Sequence, residues 1–342
     1  MFDCSWIRAA TVGMGALVLA ACNEPTSPIE STAEEIARPE LATAAANTWL
    51  TKADMPGTAR GGLSTAAITT SGRTILYAIG GRTTSGGSLG RVQAYNVATN
   101  SWTWRASLPM AAYDMNGAGV INGRIYVSGG VTRDKFFRRE LYMYNPATNA
   151  WTRKRDLPDG TWGGTTEVLK NQLYVLTCLA QEDCYIDFRP LSLFRYDPAT
   201  DQWTQLASPP PQFGRPMSGT IGGKLYVTGV ARDASGILSV YDPATNQWSS
   251  RTGPARGVYE GAGVAVDGKL YLFGGRERQP DWNSFRVRTT RVYDPATDSW
   301  STRAPMPDLR SGYAASRVLL NGERRVQVVG GPVPGNNRQY IP

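Results

Sequence analysis

Apolar residues along most of this chain fall into short β-rich runs, divided by Gly, Asn, Asp and Pro, and the stretch from Asn116 to Trp151 holds one full cycle. Ala118-Gly119-Val120-Ile121 predicts a short strand, and Asn122-Gly123 predicts a two-residue hairpin turn that accepts positive φ. Ile125-Tyr126-Val127 is a second β-rich run closed by Gly129-Gly130, and after a variable loop Leu141-Tyr142-Met143-Tyr144 makes a third. Asn145-Pro146-Ala147-Thr148-Asn149 then turns the chain, with proline presetting φ and Asn or Asp forming an Asx-turn. Trp151 opens a fourth strand, where its large ring is expected to fill the wedge against the neighbouring unit.

The third-to-fourth turn recurs as Tyr-(Asn/Asp)-Xaa-Ala-Thr-(Asn/Asp)-Xaa-Trp. Copies begin at Tyr95, Tyr144, Tyr196, Tyr241 and Tyr293 and end at Trp102, Trp151, Trp203, Trp248 and Trp300. Successive tyrosines are 49, 52, 45 and 52 residues apart. A period near fifty residues with four strands per unit predicts an all-β propeller of four-stranded antiparallel blades.

These motifs resemble the Kelch repeat, and the resemblance runs roughly from residue 49 to residue 342. The family's double glycine stands at Gly80-Gly81, Gly129-Gly130, Gly274-Gly275 and Gly330-Gly331. Thr177-Cys178 replaces it in the third unit, and only Gly229 survives in the fourth, so these two blades are expected to be irregular. Trp49 precedes the first complete unit, and the last unit stops at Tyr340-Ile341-Pro342, before its own tryptophan. The expectation is six blades, with a fourth strand from the N-terminal side and a third strand from the C-terminal side completing one blade and closing the ring.

The first 48 residues differ in character. Arg8 precedes a small, apolar stretch, Ala9 to Ala21, too short to span a bilayer. It ends in Leu19-Ala20-Ala21-Cys22, which resembles a bacterial lipoprotein signal with its lipobox. The expected organisation is a signal peptide over 1–21, a Ser/Thr/Pro/Glu-rich tether over 22–47 starting at a lipidated Cys22, and the propeller over 48–342. That places the protein in the cell envelope, membrane-attached through lipid alone. Cys178 and Cys184 are then the remaining cysteines, and in an oxidising compartment they are expected to form a loop-stapling disulfide.

Composition excludes several chemistries. The chain has no histidine, which removes Ser-His-Asp and Cys-His catalysis, a histidine general base and histidine-ligated metals. The copper chemistry of galactose oxidase, a Kelch-type enzyme, therefore does not carry over. No phosphate-binding glycine loop, dinucleotide fingerprint or calcium loop is present, so neither cofactor nor metal is expected. The net charge of +8 favours anionic partners, yet the cations are mostly scattered arginines rather than a nucleic-acid-binding block.

Loop lengths indicate where a ligand would sit. The first-to-second turns (Asn122-Gly123, Gly222-Gly223, Asp267-Gly268) and the Pro-Ala-Thr turns share one face and are short. The opposite face takes the long, divergent loops, of which Arg133–Arg139, Cys178–Leu191 and Arg276–Arg288 (with Trp282 and Phe285) are the largest. Counting back from the hairpins puts Arg60, Asp114, Trp162, Arg215, Tyr259 with Glu260, and Arg310 where each innermost strand begins. Such a set suits an anionic or sugar-like ligand, although an arginine here can equally bond neighbouring blades together. The expected function is a monomeric, non-enzymatic binding module for a protein or acidic glycan. The resemblance also implies an alternative, a sugar-active enzyme of the kind that interconverts sialic acid anomers; that enzyme's functional residues do not map onto positions here, and the modest acid–base help would fall to Glu260 or Asp114 with Arg215. A purely structural envelope role is the third possibility.

Overall fold

A computed structural model describes residues 45–179, 191–209, 214–281, 283–331 and 337–342. All described residues belong to one compact unit, Ala44–Pro342. The expected signal, Cys22, residues 22–44 of the tether, Cys184 and Trp282 lie outside the described residues.

Among the described residues every regular element is a strand, and the antiparallel sheets include six with four strands each. Sheet one runs Ser64–Thr70, Arg73–Ile79, Val92–Asn96 and Ser101–Arg105 from its innermost to its outermost strand. The innermost strands of sheets two to six are Ala118–Ile121, Thr161–Leu169, Gly214–Ile221, Ala262–Val266 and Tyr313–Leu320. In sheet six the outermost strand is Thr48–Thr51, which pairs with Asn337–Ile341 in the register Trp49↔Tyr340. The other sheets hold the same pair, as Tyr95↔Trp102 and Tyr144↔Trp151 do. The expected hairpin turns form, with Asn122 and Gly123 at φ 48° and 69°, the type I′ geometry that matches strand twist.

The repeated octapeptide has a specific bonding pattern. Its first Asn or Asp accepts the predicted Asx-turn bond, for example Ala147 N to Asn145 Oδ1 at 3.0 Å. The second sits at positive φ, as in Asn149 at 51°, and its Oδ1 accepts from both the Tyr144 hydroxyl at 2.7 Å and the Ala106 amide at 2.9 Å. Ala106 follows the outermost strand of the preceding sheet, and the Trp151 indole closes the latch by donating to its carbonyl at 2.8 Å. The tyrosine, rather than the tryptophan, is the wedge. Tyr95, Tyr144, Tyr196, Tyr293 and Tyr340 are all 0 % exposed, whereas each motif tryptophan is half-buried and leans on its tyrosine. The indole stays near the surface because its N–H must reach a carbonyl there.

Apolar clusters lie between adjacent sheets. Ala66, Tyr77, Ile79 and Val92 of sheet one pack with Ile125, Val127 and Tyr144 of sheet two, and the rings of Tyr77 and Tyr144 are 5.6 Å apart. Innermost strands of consecutive sheets contact one another, and the strand of sheet six also contacts that of sheet one. Small residues are required where these strands crowd. A Cβ on Gly119 would lie 2.3 Å from Leu173 of sheet three.

Candidate binding site

At the long-loop end the backbone forms a chain of bonds from sheet to sheet. Gly312 N donates to Glu260 O at 2.9 Å, Gly62 N to Gly312 O at 2.7 Å, Asp114 N to Gly62 O at 2.8 Å, and Gly163 N to Asp114 O at 2.9 Å. All five residues are left-handed, with φ of 56° at Glu260, 69° at Gly312, 63° at Gly62, 47° at Asp114 and 63° at Gly163. Glycine takes this conformation freely, whereas Asp and especially Glu adopt it at a cost of about 1 kcal/mol or more. The two strained positions are the two that carry carboxylates, and both residues line the cavities at this end.

Above this ring lies a cavity of about 560 Å³ lined by Gly61, Arg82, Thr83, Asp114, Glu260, Arg276, Arg286 and Ser311, among others. Its cations come from loops between second and third strands. The exposed Arg82 follows Gly80-Gly81, whose successive positive φ values of 66° and 99° turn the chain sharply, and its guanidinium carbon lies 4.7 Å from the Tyr113 ring centroid. Arg276 follows Gly274-Gly275 and donates through Nε and Nη2 to Ser284 Oγ at 3.1 and 2.9 Å, while the Tyr259 hydroxyl reaches the same oxygen at 2.8 Å. Arg286 Nε donates to Ser311 Oγ at 3.4 Å.

Below the ring a channel of about 380 Å³ runs between the innermost strands. Ser218 Oγ donates to Glu167 Oε1 at 2.8 Å and contacts Thr165 Oγ1, while Ser316 Oγ bonds Thr65 Oγ1 at 2.9 Å. Burial pushes the Glu167 carboxyl up to about 7, against the smaller opposing effects of the Ser218 hydrogen bond and the Arg317 charge.

The structure redistributes the residues expected at this site. Asp114 and Glu260 line the opening as anticipated. Arg60 and Arg310 do not, since both are 1 % exposed and structural. Arg60 donates to Ala78 O at 3.1 Å, Gln93 Oε1 at 2.9 Å and Arg91 O at 3.1 Å, and Arg310 donates to Gly330 O at 3.3 Å and to Asp308. Trp162 lies outside both cavity linings, with its ring 5.9 Å from that of Phe137. Tyr259 holds Ser284 and so positions Arg276. Arg215 belongs to the strand Gly214–Ile221, and its side chain lies outside the described residues. Cys178 is buried near the end of its strand, while its expected partner Cys184 is not described. Among the described residues no group of three or more His, Cys, Asp or Glu is placed to hold a metal ion.

Sequence reasoning missed Arg82, Arg276 and Arg286. The first two carry a signal, because each directly follows a double glycine as Gly-Gly-Arg.

The family model of the Kelch motif matches residues 115–158 and 259–307. The chain carries Kelch motifs at these two places, which supports its membership of the Kelch-repeat family. No curated protein matches it. Among solved structures, this Kelch-repeat chain is similar to that of YjhT at 16% sequence identity and a TM-score of 0.64, covering 84% of this chain and 95% of that one. Identity this low supports a shared propeller-like fold and nothing about activity.

Proposed function

We propose that this Kelch-repeat chain is a binding module that receives an anionic ligand, an acidic glycan or a carboxylate-bearing chain end, at the opening of its long-loop face. The observation that carries this reading is the convergence of Arg82, Arg276 and Arg286 on one cavity of about 560 Å³. Guanidinium forks bind carboxylates bidentately, and Asp114 and Glu260 alongside them accept from sugar hydroxyls. The module is a six-bladed propeller closed by strands from both ends of its unit, a reading supported by the six four-stranded sheets and the Trp49↔Tyr340 register. It is monomeric, carries a Cys178–Cys184 staple, and is held at the bacterial cell envelope by lipid on Cys22.

A panel of neutral and acidic glycans tests the ligand class. Acidic members should bind more tightly, bind less well with added salt, and lose binding in Arg82→Ala/Arg286→Ala. Equal binding of both classes would remove this reading. Metabolic fatty-acid labelling lost in Cys22→Ala tests the anchor.

A second reading, a sugar mutarotase, is favoured by Glu260 facing the same cavity as Arg276. NMR would detect anomer interconversion, and its loss in Glu260→Gln would promote the enzyme over the module.

A further inference from the structure

Three of the five exposed large hydrophobic residues among those described stand on two hairpins of the long-loop face: Phe136 at 67 %, Phe137 at 37 % and Phe285 at 61 %. Neither hairpin is loose. In sheet two, Thr132 N donates to Phe136 O at 3.1 Å, Phe136 N to Thr132 Oγ1 at 3.1 Å, and Arg138 N to Gly130 O at 2.8 Å. Beside sheet five, in a small three-stranded sheet of its own, Ser284–Arg286 pairs with Arg276–Arg278, which in turn pairs with Val258–Tyr259. The aromatic rings are thus held out by rigid backbone, and a partner binding them meets little ordering cost.

Cations surround both. Between Gly130 and Glu140 stand Arg133, Lys135, Arg138 and Arg139; Arg138 pairs with Glu140 and Arg139 with Asp156, each at 3.5 Å, which leaves Arg133 and Lys135 against Asp134. Beside Phe285, Arg286 and Arg288 are exposed, while Glu277 is neutralised by Arg291 at 2.6 Å. The cavity lining takes Asp114 from sheet two and Glu260, Arg276 and Arg286 from sheet five, so the two hairpins belong to the sheets at the two ends of that lining.

We infer that these hairpins and the opening between them form one extended platform for an anionic polysaccharide chain, with a unit in the cavity and flanking units against Phe136 and Phe285. This rests on the anionic-ligand reading of the opening. Pyranose rings present C–H faces that pack on aromatic rings, and a uronate chain repeats its charge at every unit, so one polymer satisfies both features. An acidic peptide offers the charge without the flat ring faces. A membrane would bury Asp114 and Glu260 with the cavity, at a desolvation cost that its headgroups do not offset.

Titration calorimetry of the full chain with galacturonan mono-, di-, tetra- and octamers tests this. Affinity should rise about tenfold or more from monomer to octamer as flanking units engage. Phe136→Ala/Phe285→Ala should abolish that gain while leaving monomer binding and Tm unchanged, since both rings are exposed. A parent protein with no chain-length gain, or a double variant that keeps it, overturns the platform. So does a polyglutamate of matched charge, or an anionic vesicle, that binds equally with the same phenylalanine dependence. Monomer binding lost in Arg82→Ala/Arg286→Ala without any chain-length gain would sink the platform alone. Octamer binding that ignores those arginines would sink the single-cavity reading instead.

Discussion

The Tyr340 hydroxyl donates to Asn47 Oδ1 at 2.9 Å, joining residues 293 positions apart in sequence. The same oxygen accepts from Ala304 N at 2.7 Å, and the Trp49 indole donates to Ala304 O at 3.0 Å. This is the latch found in every other sheet, here assembled from both ends of the unit. Asn47, expected in the tether, is therefore a structural residue of the propeller.

Asn47→Ala should destabilise by about 1–3 kcal/mol, since it leaves two donors without their acceptor and puts alanine at positive φ. Asn47→Asp should be tolerated, because Asp201 and Asp298 occupy the equivalent position in sheets three and five. Thermal melting of the two variants distinguishes a latch from a frayed end. Equal losses in both would count against it.

Alkali should open the same latches. Burial pushes Tyr95, Tyr144, Tyr241 and Tyr340 up to about 12. A raised folded value means the stability is fully present below the unfolded value near 10 and is lost as pH rises towards 12. Spectrophotometric titration at 295 nm, run beside circular dichroism, should show tyrosine ionisation and unfolding together in that window. Smooth ionisation near pH 10 in folded protein would contradict it.

Arg60→Met should cost about 2–4 kcal/mol, because Ala78 O, Arg91 O and Gln93 Oε1 lose their charged donor inside the core. Burial, then the Arg91 charge, lowers Arg60 to about 10, as expected for a guanidinium enclosed in the core. Glycan affinity measured below the melting transition should not change. A weakened affinity would return Arg60 to the binding site.

Glu167→Gln should raise Tm at pH 8 and leave it nearly unchanged at pH 5. With the folded carboxyl raised from 4.5 to about 7, folding favours the protonated acid, and this contribution is full below 4.5 and is lost as pH climbs from there through 7. Melting curves at the two pH values decide it, and an identical shift at both would assign the effect to packing.

Fold and binding site differ in how far the sequence reveals them. The tyrosine and tryptophan period exposes the repeat because the same latch must be made in every sheet, and each copy needs the same atoms. Even the dual acceptor was visible in outline, as an Asn or Asp always four residues after the first. The opening was harder. Counting back from hairpins assumes equal strand lengths, yet sheets three and four shift register between Trp162 and Thr165 and between Gly214 and Met217. The residues so chosen occupy three successive positions. Among those whose side chains are described, Arg60 and Arg310 turn into the wedge, Trp162 and Tyr259 follow, and Asp114 and Glu260 reach the ring. Arg82, Arg276 and Arg286 stand on loops whose aim depends on local hairpin geometry, which strand periodicity does not encode.

Because the junction between Asn47, Tyr340 and Ala304 uses the same atoms as its counterparts elsewhere, the seam has no privileged place along the chain. A gene that began after any outermost strand, with residues 342 and 45 joined by a short linker, would present its ribosome with a rotated order of the same interchangeable parts. Such a protein should reach the same architecture, since rotating the order of the units calls for no new joint.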